Sequence, residues 1–242
     1  MTAKEISFDE RLKAREFCSL LYWYPRIQPL VPTPKTAIIP LPNNWWSWLD
    51  KGLPRKFITE LTRQNKFGFP LFIRTDQIAA KHSWAYTCFV KNEGELARHV
   101  ISLLEENAMV DMVGETQPVA IVIREFLKLR SFFTAYEEMP VAREFRFFAS
   151  KGKINCYHPY WPHRSLEEGR PSTKDWRGFL GLMENDSDLP ISMVKKASEP
   201  FDQEFSIDIC QTANGDWFVT DMALGVASFH WKHGTIDGGE DR

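Results

Sequence analysis

The stretch FSIDICQTANGDWFVTDMALG, residues 205–225, places one aspartate in the middle of each of two apolar runs. Between the runs stands Asn214-Gly215, a dipeptide typical of two-residue hairpin turns, because both central positions need a positive φ that Asn and Gly accept readily. Counting outward from such a turn places Asp208 directly opposite Asp221. The stretch therefore predicts a β-hairpin with two facing carboxylates.

Alternation along the two strands separates an apolar face from a polar face. The same count places Cys210 opposite Val219. The predicted core face consists of Phe205, Ile207, Ile209, Phe218 and Met222. The predicted outer face consists of Ser206, Asp208, Cys210, Val219 and Asp221. Both aspartates are therefore expected to point away from the core.

Two carboxylates on facing positions repel each other, since their Cβ atoms lie roughly 4.5 to 5.5 Å apart. A divalent cation with oxygen ligands would offset this repulsion, and Mg²⁺ is typically held by one or two carboxylates together with phosphate oxygens. The alternative is a pair of solvated aspartates on an exposed sheet face. The hairpin alone leaves both interpretations open.

The composition is that of an ordinary globular protein. The chain has 242 residues, of which 43% are hydrophobic and 26% charged, and this length predicts one domain or two closely joined ones. A net charge of -2 provides no general basic surface and so disfavours nucleic acid as a partner. The charged N-terminus and the lack of a long apolar run predict a cytoplasmic protein without a membrane partner.

Cations stand at both ends of a polar loop between two predicted strands. Arg74 follows the apolar run Leu-Phe-Ile, and Lys81 lies seven residues later, before a second strand. Two such charges can neutralise different oxygens of a polyphosphate. A surface arginine and a surface lysine explain the same letters equally well.

Two further groups of polar residues occur at strand positions. Glu144 and Arg146 alternate with phenylalanines, so both side chains share one face of a strand; they could contact a nucleotide or form ion pairs with neighbouring loops. The continuous apolar strand VAIVI leads into four residues that could offer main-chain groups and apolar contacts to a base. These four are Arg124, Glu125, Phe126 and Leu127. An ordinary polar strand exit is the alternative.

The order of these features resembles the ATP-grasp superfamily, most closely the branch that contains the eukaryotic cell-division-cycle chaperone for assembly of translation initiation factor two. The resemblance covers residues 68 to 228 and depends on PLFIR, VIREF, EFRFF with KGK, FSIDI and NGDWFVTDM. P-loop, Rossmann and hydrolase-elbow motifs are absent from the sequence. The resemblance implies an α+β fold in which two subdomains close on Mg-ATP.

The resemblance also implies a role for each candidate residue. Arg74 corresponds to a phosphate-contacting lysine of the family, and residues 124–127 correspond to the adenine hinge. Glu144 would contact ribose, while Arg146 and Lys81 would act on the terminal phosphates as the catalytic cations. Asp208 and Asp221 would hold Mg²⁺. The implied domains are an N-terminal helical and proline-rich segment, 1–67, a small subdomain, 68–128, and a large subdomain, 129–242.

Two functions compete at this level. Many ATP-grasp proteins activate a carboxylate as an acyl phosphate and pass it to an amine or thiol, releasing ADP. The other hypothesis is a binding or assembly chaperone in which ATP stabilises a surface with little turnover. The acceptor, whether a small molecule or a polypeptide, is not identified by any residue in the sequence.

Overall fold

The computed structural model describes residues 16–111 and 117–230 of the chain, which form two lobes. The first lobe is built on an antiparallel sheet with strand order β1-β4-β2-β3. Its strands are β1 (Thr36–Pro40), β2 (Leu71–Thr75), β3 (Phe89–Val90) and β4 (Ala120–Glu125). Its helices are α2 (Trp48–Lys51), α3 (Arg55–Gln64) and α4 (Glu93–Asp111).

One face of this sheet is covered by helices. Helix α4 presents the buried residues Leu96, Val100, Leu103 and Leu104, whose helical spacing matches the apolar pattern of the sequence. They pack with Ile121 and Ile123 of β4, a run rich in β-branched residues that suits a central strand. The opposite face of the sheet is therefore left to meet the second lobe.

The second lobe contains a sheet with strand order β10-β9-β7-β8 and a separate two-stranded hairpin. The sheet strands are β7 (Glu144–Ser150), β8 (Lys153–Pro159), β9 (Phe205–Gln211) and β10 (Trp217–Leu224), and the hairpin strands are β5 (Ser131–Ala135) and β6 (Met139–Ala142). Helices α1 (Leu20–Ile27) and α7 (Ile191–Ser198) contribute to the core beneath the sheet, and α5 (His163–Glu168) and α6 (Trp176–Met183) pack with the hairpin. The predicted α+β class with two subdomains is confirmed.

The N-terminal segment contributes to both lobes. Residues of α1, among them Trp23 and Ile27, are buried in the core of the second lobe. Strand β1 is an edge strand of the first sheet, where it pairs with β4. The part of the predicted 1–67 segment that the structure describes is thus woven into the two lobes.

The turn of the aspartate hairpin differs from the prediction. The loop has three residues, 213–215, because the N–H of Thr212 donates to the carbonyl of Asp216 at 2.8 Å. Gly215 has a φ of +94°, whereas Asn214 does not adopt a positive φ. Such a loop combines a type I turn with a left-handed glycine, so it needs only one residue of positive φ. The predicted two-residue turn is therefore wrong.

The longer loop shifts the first half of the register by one residue. Phe218 faces Cys210 and Val219 faces Ile209, so the predicted pairing of Cys210 with Val219 is wrong. Val219, and not Phe218, is buried in the core. A β-bulge between Val219 and Asp221 then restores the predicted register.

Beyond the bulge Asp221 faces Asp208, as the sequence predicts. The pairing of the aspartates is thus correct because two deviations compensate. Within the described ranges, no helix combines the length and apolar character that a membrane span requires.

Candidate functional site

Two arginines occupy the face of the first sheet that is turned toward the second lobe. Alternation places Leu71 and Ile73 of β2 in the helix-covered core and leaves Arg74 on the opposite face. Arg124 on β4 pairs with Phe72 and shares this face with Arg74. Both arginine side chains are buried, so the first lobe directs two guanidinium groups into the space between the lobes.

The second lobe answers with acidic residues on adjacent strands. In the sheet register Asp208 of β9 lies between Arg146 of β7 and Asp221 of β10. One strand position further along, Glu144 is level with Cys210. The predicted face of β7 therefore adjoins the predicted aspartate pair.

Each aspartate has an arginine partner. Arg146 binds Asp208 in a bidentate manner, with Nε 2.7 Å from Oδ1 and Nη2 2.8 Å from Oδ2. Nη1 of Arg74, from the other lobe, donates to Oδ1 of Asp221 at 2.6 Å. These guanidinium groups offset the repulsion between the carboxylates. The residue Asp208 is only 3% exposed, which excludes a solvated surface pair.

The pKa of Asp221 reflects the same partners. Burial opposes ionisation of this carboxyl, but the positive charges of Arg74 and Arg124 outweigh burial and lower its pKa. Arg124 shows the reverse effect: burial, followed by the charge of Arg74, lowers its pKa to about 9. The ligand-free site is therefore held by a balance of buried charges that extends across both lobes.

Lys81 provides a further cation at the same end of the cleft. It lies in the 3-10 turn Lys81–Ser83, and its Nζ is 3.2 Å from Oε1 of Glu144. Burial opposes protonation of Lys81, but Glu144, with Tyr160, Cys210 and Asp208, keeps its pKa well above the usual value. This contact is the ion pair with a loop that the sequence left open as an alternative for Glu144.

The opposite end of the cleft is formed by the predicted hinge. The N–H of Glu125 donates to the carbonyl of Lys35, and Oε1 of Glu125 accepts from the N–H of Lys35 at 2.8 Å, so this residue is fixed beside β1. In the part of the chain that the structure describes, Phe126 and Leu127 lie outside the strands and make no main-chain hydrogen bond. Their N–H and C=O groups are available to a base.

An aromatic cluster adjoins the hinge. The ring centroid of Phe126 is 5.0 Å from that of Phe89, which in turn stacks on Trp84 at 5.1 Å. The cleft itself has a volume of about 740 Å³ and is lined at this end by Phe72, Trp84, Phe126, Leu127 and Met139. An apolar end of this size with unused main-chain groups suits a planar heterocycle.

A second cavity begins at the charged end of the cleft. It has a volume of about 1610 Å³, including its open mouth, and shares Lys81, Met139, Trp161 and Asp221 with the first. Arg146 lines this second cavity together with His82, Tyr136, Tyr160 and Arg164. Asp208 lies behind Arg146. The two cavities thus form one continuous space with the charged residues at the junction.

The carboxylates fit a magnesium ion that is completed by ligand oxygens. Oδ1 of Asp221 accepts from Arg74, while no hydrogen bond from a described residue reaches Oδ2, and this side chain is 29% exposed. Within residues 16–111 and 117–230, no group of three or more His, Cys, Asp or Glu side chains could hold a metal ion. Two carboxylates with phosphate oxygens and water are a usual set for Mg²⁺. Both oxygens of Asp208 would first have to be released by Arg146.

Sequence reasoning did not assign Tyr160 to the site. Its ring lies between two of the cations, 4.7 Å from Nζ of Lys81 and 4.8 Å from the guanidinium carbon of Arg146. Burial raises the pKa of Tyr160 to about 12. The signal was its place at the end of the strand that pairs with Glu144 and Arg146, because a ring there reaches the same face.

Arg124 enters the site through its side chain. Its main chain belongs to the central strand β4, which is paired on both sides, and the sequence had considered main-chain contacts to a base at this position. Nη1 of Arg124 instead donates to the carbonyl of Thr220 in the second lobe at 2.5 Å. The predicted hinge is therefore open only at Phe126 and Leu127.

Comparison with known proteins gives a family for this arrangement. A family model for an ATP-grasp domain, described as family 3 of its clade, matches residues 62–235. Cdc123 from Schizosaccharomyces pombe is similar in structure, with 14% sequence identity, coverage of 88% of this chain and 85% of that chain, and a TM-score of 0.55. A search of curated proteins gave no significant match.

Two longer ATP-grasp-type structures align more distantly. A RimK domain ATP-grasp protein from Sphaerobacter thermophilus DSM 20745 has 10% identity and a TM-score of 0.41, and covers 89% of this chain and 60% of its own. D-alanine–D-alanine ligase from Bacillus anthracis, complexed with ATP, has 13% identity and a TM-score of 0.43, with 86% and 55% coverage. The family match covers well over half of the chain, and the Cdc123 match supports the fold. The chain therefore belongs to the ATP-grasp superfamily, in the family that the matching model describes.

Proposed function

We propose that this protein binds Mg-ATP in the cleft and uses it to activate a carboxylate as an acyl phosphate, which an amine or thiol then attacks. The observation that carries the proposal is the continuity of the two cavities. The 740 Å³ cleft ends at the charged junction where the 1610 Å³ cavity begins. A nucleotide in the first would direct its terminal phosphate toward an acceptor in the second.

The polarity of the cleft supports one orientation of the nucleotide. The adenine would lie at the apolar end, where the free N–H of Leu127 can donate to a ring nitrogen. The phosphates would then extend toward Arg74, Lys81 and Arg146. Glu144, now paired with Lys81, lies between these ends and would accept hydrogen bonds from ribose.

Binding of the triphosphate requires an exchange of partners. Asp208 and Asp221 would hold magnesium, which supplies charge neutralisation to the phosphate oxygens when bound. Arg146 and Arg74, released from these carboxylates, would donate to the phosphates instead. The same arginines that balance the empty site thereby become ligands of the nucleotide.

In the first chemical step, an oxygen of the acceptor carboxylate attacks the γ-phosphorus while the bond from this phosphorus to ADP breaks. In the second step, nitrogen or sulfur attacks the carbonyl carbon, and phosphate leaves. Lys81 and Arg146 stand at the junction, so they would neutralise the transferring phosphoryl group. The contribution of the protein is positioning and preorganised charge.

The second cavity offers mixed chemistry to the acceptor. Tyr136, Tyr160 and Trp161 give it aromatic walls, and His82 and Arg164 add polar groups. Burial, with the nearby charge of Lys81, lowers the pKa of His82, so its imidazole is neutral at pH 7. This lining suits a small molecule or the side chain of a polypeptide.

Nucleotide binding is tested by melting the protein with and without Mg-ATP. A ligand that binds only the folded state stabilises it by about 2.7 kcal/mol at a hundredfold excess over Kd. Magnesium with AMP is the matched control, because AMP lacks the phosphates that reach the junction. An unchanged melting temperature at millimolar Mg-ATP contradicts the proposal.

Turnover is tested by incubating the protein with Mg-ATP and separate pools of metabolites, peptides and RNA. We expect ADP and phosphate in the metabolite or peptide pool, and Lys81→Met should reduce their release. Tight ATP binding without product in any pool would favour the assembly protein over the ligase. ADP formation in the RNA pool alone would contradict the predicted acceptor class.

A further inference from the structure

The bulge in β10 determines where Asp221 points. Val219 is buried in the core of the second lobe, so strict alternation would turn Thr220 toward the cleft and Asp221 toward the core. The register shift between Val219 and Asp221 inserts one extra residue and reverses this order. The second carboxylate of the aspartate pair reaches the cleft because the bulge is present.

The bulge is held by contacts from two directions. Within the hairpin, Oγ1 of Thr220 donates to the carbonyl of Asp208 at 3.3 Å and lies 3.4 Å from Sγ of Cys210. From the first lobe, Nη1 of Arg124 donates to the carbonyl of Thr220 at 2.5 Å. The carbonyl is thereby tied to a strand of the opposite lobe.

The surroundings of Arg124 give it little other purpose in the free protein. The residue is 2% exposed, and its Nε and Nη2 are buried without a hydrogen-bond partner in the part of the chain that the structure describes. Its guanidinium carbon lies 5.6 Å from the ring centroid of Trp23 and 6.0 Å from that of Tyr24. A buried cation with unused donors is a poor source of stability.

We propose that Arg124 is a positioning residue for magnesium: by holding the bulge at Thr220 from across the cleft, it keeps Asp221 directed at the site opposite Asp208. This inference depends on the proposed Mg-ATP binding. It assigns Arg124 to the metal through Thr220 and Asp221, and not to the nucleotide base. Residues that orient a metal ligand typically change metal affinity by about 10- to 100-fold when they are replaced.

The test compares ATP affinity by calorimetry, with saturating Mg²⁺ and with EDTA, in the wild type and in Arg124→Met. Methionine keeps an apolar side chain against Trp23 and Tyr24 but cannot donate to Thr220. We expect the gain in ATP affinity from Mg²⁺ to fall by about tenfold or more, while ATP affinity in EDTA changes less than about twofold. Arg130→Met is the control, because Arg130 donates to the side chain of Gln211 in the same hairpin and does not touch the bulge.

Thr220→Gly provides a second route if Arg124→Met does not fold. Glycine keeps the carbonyl but loses the hydroxyl contacts and loosens the main chain, so the loss should again be selective for Mg²⁺. Equal losses of ATP affinity with and without Mg²⁺ would make Arg124 a direct phosphate contact and overturn the proposal. An intact magnesium gain in Arg124→Met or in Thr220→Gly would also overturn it.

Hydrogen exchange of the free protein separates this inference from the proposed function. Arg124→Met should speed exchange of the amides at 220 and 221 while those at 206–209 stay protected. A wild type that fails to bind Mg-ATP refutes the proposed function. Unchanged exchange at the bulge refutes the role of Arg124, whatever the nucleotide result.

Discussion

At the hinge end of the cleft, Phe126 and Leu127 keep their main-chain groups free, whereas at the charged end every carboxylate of the cleft already has a cationic partner. Glu144 pairs with Lys81, Asp208 with Arg146 and Asp221 with Arg74. The hinge end is therefore ready to receive a ligand. The charged end must first exchange its own contacts for those of the ligand.

This difference indicates where binding free energy arises. A base at the hinge adds hydrogen bonds and apolar contacts without breaking any contact between described residues. Phosphates at the charged end gain contacts with arginines only as the arginines leave Asp208 and Asp221. Magnesium makes this exchange favourable, since it replaces the positive charge that the two carboxylates lose.

The largest expected effect concerns the charged end in the absence of ligand. Arg146→Ala leaves Asp208 as a buried carboxylate without its bidentate partner, and removing one member of a buried pair destabilises a protein by about 3 to 5 kcal/mol. Urea unfolding of the free protein measures this loss. Loss of solvation is the physical cause, because the side chain of Asp208 is only 4% exposed.

The control is an arginine with the same geometry at the surface. Arg63 binds Glu60 through Nε at 2.8 Å and Nη2 at 2.6 Å, but both side chains are exposed. Arg63→Ala should leave stability almost unchanged because water replaces the lost contacts. Equal effects of the two substitutions would mean that the charged end is not a desolvated site.

A smaller loss of stability is expected for Asp221→Asn. The amide keeps a hydrogen bond to Arg74 but loses the charge, which weakens a charge-assisted bond by about 1 to 2 kcal/mol. Since the pKa of Asp221 is lowered below its usual 3.8, this stability is present above that value and is lost as pH falls through the lowered pKa. Wild type and variant should therefore differ at pH 7 and converge near pH 3.

Urea unfolding at the two pH values measures the difference, with Asp202→Asn as the control at an exposed ion pair with Lys151. A stabilised Asp221→Asn at pH 7 would mean that repulsion from Asp208 outweighs the bond to Arg74. In that case the arginines would not balance the empty site.

The sequence predicts the members of the charged end better than their contacts. Strand alternation places Glu144 and Arg146 on one face, and the hairpin pairs Asp208 with Asp221, because both features depend on local periodicity. The partners of the aspartates depend on how two lobes approach. Arg74 and Asp221 are 147 residues apart in the chain, and no spacing rule relates them.

The bulge shows a second limit of sequence reasoning. The three-residue loop and the extra residue at Thr220 shift the register in opposite senses, so the correct aspartate pairing was reached from a wrong turn. Neither deviation has a local signal, since the bulge is held by Arg124 from the other lobe. The role of that side chain follows from tertiary structure alone.

Nucleotides that share the hinge but differ at the charged end sharpen the comparison. Arg146→Lys keeps a positive charge beside Asp208, yet an ammonium group cannot donate in the bidentate manner of a guanidinium. We expect ATP to bind about tenfold more weakly in this variant, a difference of about 1.4 kcal/mol, while AMP binds as in the wild type. Calorimetry with both nucleotides measures the effect, and Arg63→Lys is the surface control. Parallel losses for ATP and AMP would remove the phosphate role of Arg146.

The smallest expected effect comes from salt, which distinguishes the two ends without any substitution. Raising the ionic strength screens charges that are open to solvent, so ATP affinity in EDTA should fall by about three- to tenfold between about 0.05 and 0.5 M NaCl. Adenosine reaches only the hinge and ribose positions, where apolar contacts and neutral hydrogen bonds dominate, so its affinity should stay constant. Adenosine is thus the matched control ligand in the same calorimetric series. A comparable salt dependence for both ligands would show that charge acts along the whole cleft, and the contrast between its ends would then fail.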